Sequence, residues 1–169
     1  METLILGREL IRQEHWAEAN EQFEIISKNK KWLSREERAE SNFLYGYSLE
    51  KLGKLDKATT VCNAVLAVYG FYAEWSCQSL ERGFNLAFQT KDHEKKIKAY
   101  SNLKKQLYRF QMIEASEDPS GAITRMRKRH HTVKNELGIT AEEDAAIDLS
   151  LGIRPEDRKN AQENEKINK

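Results

Sequence analysis

Residues 6–23, LGRELIRQEHWAEANEQF, and residues 45–62, YGYSLEKLGKLDKATTVC, share one pattern of small and large side chains that decides the fold. The two stretches lie about 39 residues apart, which is within the range of helical repeats. The matching positions are Leu6, Gly7, Leu10, Ala19 and Phe23 in the first stretch and Tyr45, Gly46, Leu49, Ala58 and Cys62 in the second. The repetition predicts stacked helical hairpins, each burying its apolar side against a neighbour.

Three antiparallel hairpins are predicted over residues 1–113. The helices of the first are expected over 2–13 and 16–29, those of the second over 35–51 and 56–68, and those of the third over 72–89 and 93–113. Ser34 and Glu37 have the spacing of a capping box before the third helix, and Gly70 is placed as a stop signal after the fourth. The third hairpin keeps Gly83 at the corresponding position, but Lys95 stands where the repeat has alanine.

Composition excludes several classes of protein. The chain has 169 residues and a net charge of +1, so its overall charge favours neither nucleic acid nor an anionic membrane. No apolar run approaches the roughly 20 residues of a membrane span, and the amino terminus is too short and acidic for a secretory signal. We therefore expect a cytoplasmic protein. Cys62 and Cys77 match no metal-site spacing and are expected to be buried thiols, so neither a metal nor a cofactor is predicted.

The repeated pattern ends after the third predicted hairpin. The run Ser-Glu-Asp-Pro-Ser-Gly at 116–121 is typical of turns and marks a boundary. Beyond it a helix over 122–137 places one apolar stripe on a single face, and a capping box at Thr140 and Glu143 predicts a further short helix. The stripe consists of Ile123, Met126, His130, Val133 and Leu137. The predicted organisation is a repeat domain over 1–113, a helical extension over 114–152 and a charged, flexible tail over 153–169.

The predicted helix over 122–137 is basic, and the segment that follows it is acidic. Its basic patch consists of Arg125, Arg127, Lys128, Arg129 and Lys134. One interpretation is that the helix caps the last hairpin, with its charges solvated or compensated by the acidic segment. The other is that it binds nucleic acid or has a regulatory role. His130 and His131 are adjacent and diverge on a helix, so they are not expected to share a metal ion.

The repeated pattern resembles the tetratricopeptide repeat family over about the first 113 residues. The second copy keeps Gly46, Gly53 and Ala58, whereas the family's tryptophan position holds Thr3 and Asn42 and its closing proline is missing. These departures leave open another family of helical hairpins. The resemblance implies an all-α stack of about three hairpins, with a carboxyl-terminal capping helix, and a concave face that binds a protein.

The same resemblance implies which side chains face the partner. They are Leu4, Arg8, Ile11, Phe43, Tyr47 and Glu50, on the inner helix of the first two hairpins. Because this set is largely apolar, the expected ligand is an apolar helix or extended segment of a protein rather than a terminal carboxylate. The alternative is that these residues pack between the hairpins.

A second, narrower resemblance is to the cytoplasmic type III secretion chaperones that are similar to tetratricopeptide proteins. It depends on the hairpins followed by the 116–119 turn and an amphipathic helix bearing Met126 and Arg127. No Ser, His or acidic set stands apart from the surface residues, and no phosphate-binding loop is present, so an enzyme is not expected. The prediction is a non-catalytic adaptor or chaperone, with nucleic-acid binding through 122–137 as the alternative.

Overall fold

The computed structural model describes residues 2–29, 31–70, 72–112 and 121–154, which form helices joined by turns, with no strand in these ranges. The eight helices of this part are α1 (Glu2–Arg12), α2 (Trp16–Lys28), α3 (Arg35–Lys51), α4 (Leu55–Tyr69), α5 (Ala73–Phe88), α6 (His93–Met112), α7 (Ala122–Glu136) and α8 (Ala141–Ser150). The predicted all-α class is confirmed, and the predicted bounds agree to within one or two residues. The predicted boundary at 114–120 and most of the predicted tail lie outside the described residues.

Both predicted capping boxes are present. The Glu37 amide donates to Ser34 Oγ over 3.2 Å, and the Ser34 amide donates to Glu37 Oε2 over 2.8 Å. Thr140 and Glu143 make the same reciprocal pair at the start of α8. Such pairs satisfy amides that have no partner within the helix, which is why α3 and α8 begin where the sequence indicates.

The first compact unit contains α1 to α5, residues 2–89, together with residues 121–122. Each helix packs against the next in sequence, and α3 also contacts α1 and α5. One cluster of its core consists of Leu4, Ala19, Phe23, Ile26 and Leu33, and another consists of Leu49, Ala58 and Leu86. Tyr45 packs against both clusters, which joins the α1–α2 hairpin to the α3–α4 hairpin.

Equivalent positions of the two sequence repeats make equivalent contacts. A Cβ atom built on Gly7 of α1 would lie 2.8 Å from the ring of Phe23 in α2. A Cβ atom built on Gly46 of α3 would lie 3.4 Å from Cys62 Sγ in α4. The small residue therefore brings the two helices of a hairpin together in both repeats. Contact with the larger residue is tighter in the first repeat, where that residue is an aromatic ring.

The second compact unit contains α6, α7 and α8, within residues 90–112 and 123–154. Met126 and Val133 of α7 are buried, as the predicted stripe requires, and the Ile123 side chain lies outside the described residues. The three helices meet around buried charge. Tyr100 Oη donates to Asp144 Oδ1 over 2.8 Å, and Lys134 Nζ donates to Asp144 Oδ2 over 3.0 Å.

Lys104 completes this network, because its ammonium group pairs with both Asp144 and Asp148.

The division between the two units falls between Gln89 and Thr90, inside the predicted third hairpin. The predicted helices of that hairpin are present as α5 and α6, one in each unit. The hairpin count and the domain organisation over 1–113, 114–152 and 153–169 stay predictions.

Candidate interaction surface

The six side chains predicted to meet a partner lie on α1 and α3, and they differ in exposure. Leu4 and Phe43 are only 2% and 6% exposed, so they belong to the core of the first unit. Ile11 packs at the edge of the same core as Leu4. Tyr47 and Glu50 are partly buried. Of the three predicted residues on α3, Tyr47 and Glu50 are therefore partly exposed, and Phe43 is buried.

Arg8 is engaged by α3. Its Nε and Nη2 atoms donate to the two carboxylate oxygens of Glu40 over 2.6 and 2.5 Å. Hydrogen bonding to Glu40 raises the pKa of Arg8. A bidentate pair of this kind fixes the orientation of both groups. Because the Glu40 side chain is mostly buried, Arg8 serves as a link between α1 and α3.

A second ion pair links α3 to α5. Glu50 pairs with Arg82, and both side chains are about three-quarters buried. The Arg82 guanidinium carbon lies 4.1 Å from the centre of the Tyr47 ring and 5.8 Å from that of Phe43. The Phe43 ring in turn lies 5.6 Å from the ring of Trp75 in α5. Cation–π and ion-pair contacts thus hold α5 against the aromatic side of α3.

The sequence did not point to Arg82 or Trp75. The register of Gly83 places α5 as the next helix after α3 in the repeat. When Gly83 is aligned with Gly46, the positions of α5 that match Phe43 and Tyr47 are Leu80 and Phe84. Both of these side chains are buried. No spacing rule distinguishes Arg82, since its role depends on which side of α5 turns toward Glu50.

Tyr47 of α3 also belongs to an aromatic pair. The Trp16 ring of α2 meets the Tyr47 ring edge to face, with centres 5.4 Å apart. Lys51 Nζ lies 5.5 Å from the Trp16 ring and 5.4 Å from the Tyr47 ring. Tyr47 is therefore contacted by residues of two other helices, Trp16 of α2 and Arg82 of α5.

A groove of about 150 Å³ runs between α3 and α5. Its lining residues are Phe43, Glu50, Gln78, Glu81, Arg82, Asn85, Leu86 and Gln89. Phe43 and Leu86 are buried and form the floor, whereas Asn85 and Gln89 are exposed at the rim. Of the six predicted residues, Phe43 and Glu50 line this groove. The α3–α5 groove thus combines an apolar floor with a rim of amides and charges.

The basic patch on α7 is partly neutralised. Lys134 pairs with Asp144, and Arg129 Nη1 lies 2.9 Å from Glu136 Oε1. Arg127 is partly buried, while Arg125 and Lys128 are exposed. At Lys134 and Arg129, acidic residues therefore compensate the positive charge of this helix, as one of the two sequence interpretations expects.

We also searched the described residues for a disulfide, a metal site and a membrane-spanning helix. Cys62 and Cys77 are buried and are not joined in a disulfide, and burial raises the pKa of Cys62 to about 11. No group of three potential metal ligands occurs among these residues, and none of their helices is long and apolar enough to span a membrane.

Comparison with known proteins found no matching family model, no matching curated protein and no matching solved structure.

Proposed function

We propose that this chain is a non-catalytic adaptor or chaperone that binds an extended segment of another protein in the α3–α5 groove. Its hairpins would stack in the manner of tetratricopeptide repeats, and a cytoplasmic location belongs to the same proposal. The observation that carries the proposal is the groove itself, in which the Glu50–Arg82 pair joins the two helices beside an apolar floor.

Preorganisation supports this assignment. Arg8–Glu40 connects α1 to α3 and Glu50–Arg82 connects α3 to α5, so the three helices are tied by two ion pairs that span neighbouring hairpins. A binding surface that is already ordered loses little conformational entropy when a ligand arrives. The two links therefore favour a preformed protein-binding face.

The size and chemistry of the groove favour an extended segment over a helix. A volume of about 150 Å³ receives one large side chain, whereas a helix presents an apolar stripe of several residues. The side-chain amides of Asn85 and Gln89 can both donate and accept, which matches the exposed backbone of an extended chain. We expect one apolar side chain of the partner to lie over Phe43 and Leu86.

The test is site-specific photo-crosslinking in a native lysate, with a photoreactive amino acid in place of Asn85 and, as the matched control, in place of Glu21. Both positions are exposed on helices, but Glu21 lies on α2 outside the groove lining. A protein crosslinked from position 85 and absent from position 21 supports the proposal. Capture of that protein should fall at least about tenfold with Asn85→Arg, because a long charged side chain at the rim would clash with the bound segment.

The outcome that contradicts the proposal is equal crosslinking from both positions, or full capture by Asn85→Arg. Replacement of Phe43 is unsuitable for this purpose. Because the ring is buried, Phe43→Ala is expected to cost about 3 to 5 kcal/mol of stability and would confuse unfolding with loss of binding.

The nucleic-acid alternative stays a prediction, and salt distinguishes it. Binding through phosphate contacts weakens steeply as salt rises, because counterions are released from the nucleic acid. The variant with Arg125, Lys128 and Arg129 changed to Gln should lose RNA or DNA binding if α7 is the site. Absence of binding by the parent protein at about 150 mM salt contradicts this alternative.

A further inference from the structure

The turn between α2 and α3 presents an aromatic side chain beside an open apolar pocket. Trp32 is 82% exposed, which is unusual for so large an apolar residue. The adjacent pocket has a volume of about 120 Å³. Leu4, Ile26 and Leu33 form its buried floor, and Ile25 and Trp32 form its exposed rim. We call this feature the Trp32 pocket. It lies on α1 and α2, apart from the groove lining of α3 and α5.

An exposed lysine, Lys31, directly precedes Trp32 at the edge of the Trp32 pocket. The sequence places three lysines at positions 28, 30 and 31, immediately before the tryptophan. Lys28 pairs with Glu24 over 2.9 Å, and Lys31 is exposed. Cavities of about 150 Å³ accept a molecule the size of benzene, so 120 Å³ suits one branched aliphatic side chain. The matching ligand is an apolar anchor carried by an acidic segment.

The chain itself carries such a segment on α8. Leu149 is 66% exposed on this helix. Its first turn contains three acidic residues, of which Glu143 forms the capping box and Asp144 pairs with Lys104 and Lys134. Glu142 precedes Leu149 by seven residues, so the two side chains lie on the same side of α8 two turns apart. Glu142 is also exposed. An exposed leucine aligned with an exposed carboxylate complements an apolar pocket beside an exposed lysine.

We propose that the Trp32 pocket binds α8 of a second copy of this chain, with Leu149 as the anchoring side chain and Glu142 directed toward Lys31. The two contacting surfaces are different, so the contact is head to tail and forms rings or open chains of subunits. One anchor and few charges bury a small area, which is typical of weak and reversible association. The Trp32 pocket shares no lining residue with the α3–α5 groove.

Sedimentation velocity of the full chain tests the proposal. Between about 10 and 500 μM, the weight-average sedimentation coefficient should rise for the parent protein, as expected for dissociation constants in this range. Trp32→Ala and Leu149→Ala should each abolish the rise. Val68→Ala is the matched control, because Val68 is as exposed as Leu149 but lies on α4, and it should leave the rise unchanged.

Mixing the two variants is the decisive arm. The Trp32→Ala protein keeps its Leu149 anchor and the Leu149→Ala protein keeps its pocket, so the mixture should form 1:1 dimers that neither variant forms alone. Charge is tested by Lys31→Glu, which should weaken association, and by the combination with Glu142→Lys, which should restore it.

Three results would overturn the proposal. The first is a parent protein that stays monomeric over the whole range. The second is association that survives Leu149→Ala, which would instead indicate a symmetric contact through Trp32. The third is a mixture of the two variants that remains monomeric. Circular dichroism of both variants verifies that they are folded, which is expected because each change removes an exposed side chain.

Discussion

His130 should make the stability of the protein fall between neutral and mildly acidic pH. Its ring stacks on Tyr100 with centres 4.9 Å apart, and its Nε2 atom is buried without a hydrogen-bond partner among the described residues. Burial lowers the pKa of His130 from 6.5 to about 4, and the positive charge of Lys104 acts in the same direction. The nearby Asp144 opposes the shift but does not reverse it.

The sign of the effect follows from proton counting. Between pH 6.5 and 4 the unfolded chain binds a proton at this histidine and the folded chain does not, so acid favours unfolding. The contribution of His130 is complete above pH 6.5 and is lost as the pH falls to about 4. At about 1.4 kcal/mol per pH unit, with allowance for partial exposure of the ring, the loss is roughly 2 to 3 kcal/mol.

Urea unfolding at several pH values between about 4 and 7 measures this loss. His130→Phe keeps an aromatic ring against Tyr100 but cannot bind a proton, so its free energy of unfolding should fall about 2 to 3 kcal/mol less than that of the parent. Thr132→Val is the matched control, since Thr132 is exposed on the same helix and carries no titrating group, and it should retain the slope of the parent. Parallel curves for the parent and His130→Phe would refute the reasoning.

Four further substitutions test packing. Gly7→Ala should cost about 1 to 3 kcal/mol in a urea melt because its Cβ would meet the Phe23 ring at 2.8 Å, whereas Gly46→Ala, with 3.4 Å of space, should change stability by less than about 1 kcal/mol. Equal effects at the two glycines would contradict this. Ala58→Leu should overpack a fully buried position at a cost of about 1 to 3 kcal/mol, and an unchanged melting temperature would argue against the repeat assignment. Val133→Asp should place an unpaired carboxylate in a buried position and cost on the order of 3 to 5 kcal/mol by calorimetry, while a small loss would show that α7 is not held by its apolar stripe.

The sequence predicted the helix boundaries because they depend on residues that are close together in the chain. Ser34 and Thr140 mark helix starts through capping boxes, which depend on residues three positions apart. Gly53 and Gly138 follow α3 and α7 with φ values of +71° and +66°, a backbone conformation that favours glycine. The predicted ends of these helices agree with the structure because the physical cause of each end lies within one or two turns of chain.

The candidate site was less predictable, because its contacts connect residues about 30 positions apart. The resemblance to tetratricopeptide repeats placed Leu4 and Phe43 on the inner helices, but helical periodicity could not separate the core side of those helices from the open side. The structure puts both in the core. The Glu50–Arg82 pair depends on how α5 rotates against α3, and rotation of one helix against another leaves no periodic signal in the sequence.

Asp144 of α8 connects this acidic helix to α6 and to the basic helix α7. Its carboxylate receives hydrogen bonds from Tyr100, Lys104 and Lys134, and these bonds lower its pKa despite burial. Buried ion pairs add little net stability over well-packed apolar groups, but one partner left alone costs about 3 to 5 kcal/mol. A shift of α8 by one residue would turn Asp144 away and leave both lysines without it. We infer that Asp144, through its bonds to α6 and α7, selects the register in which α8 meets these two helices.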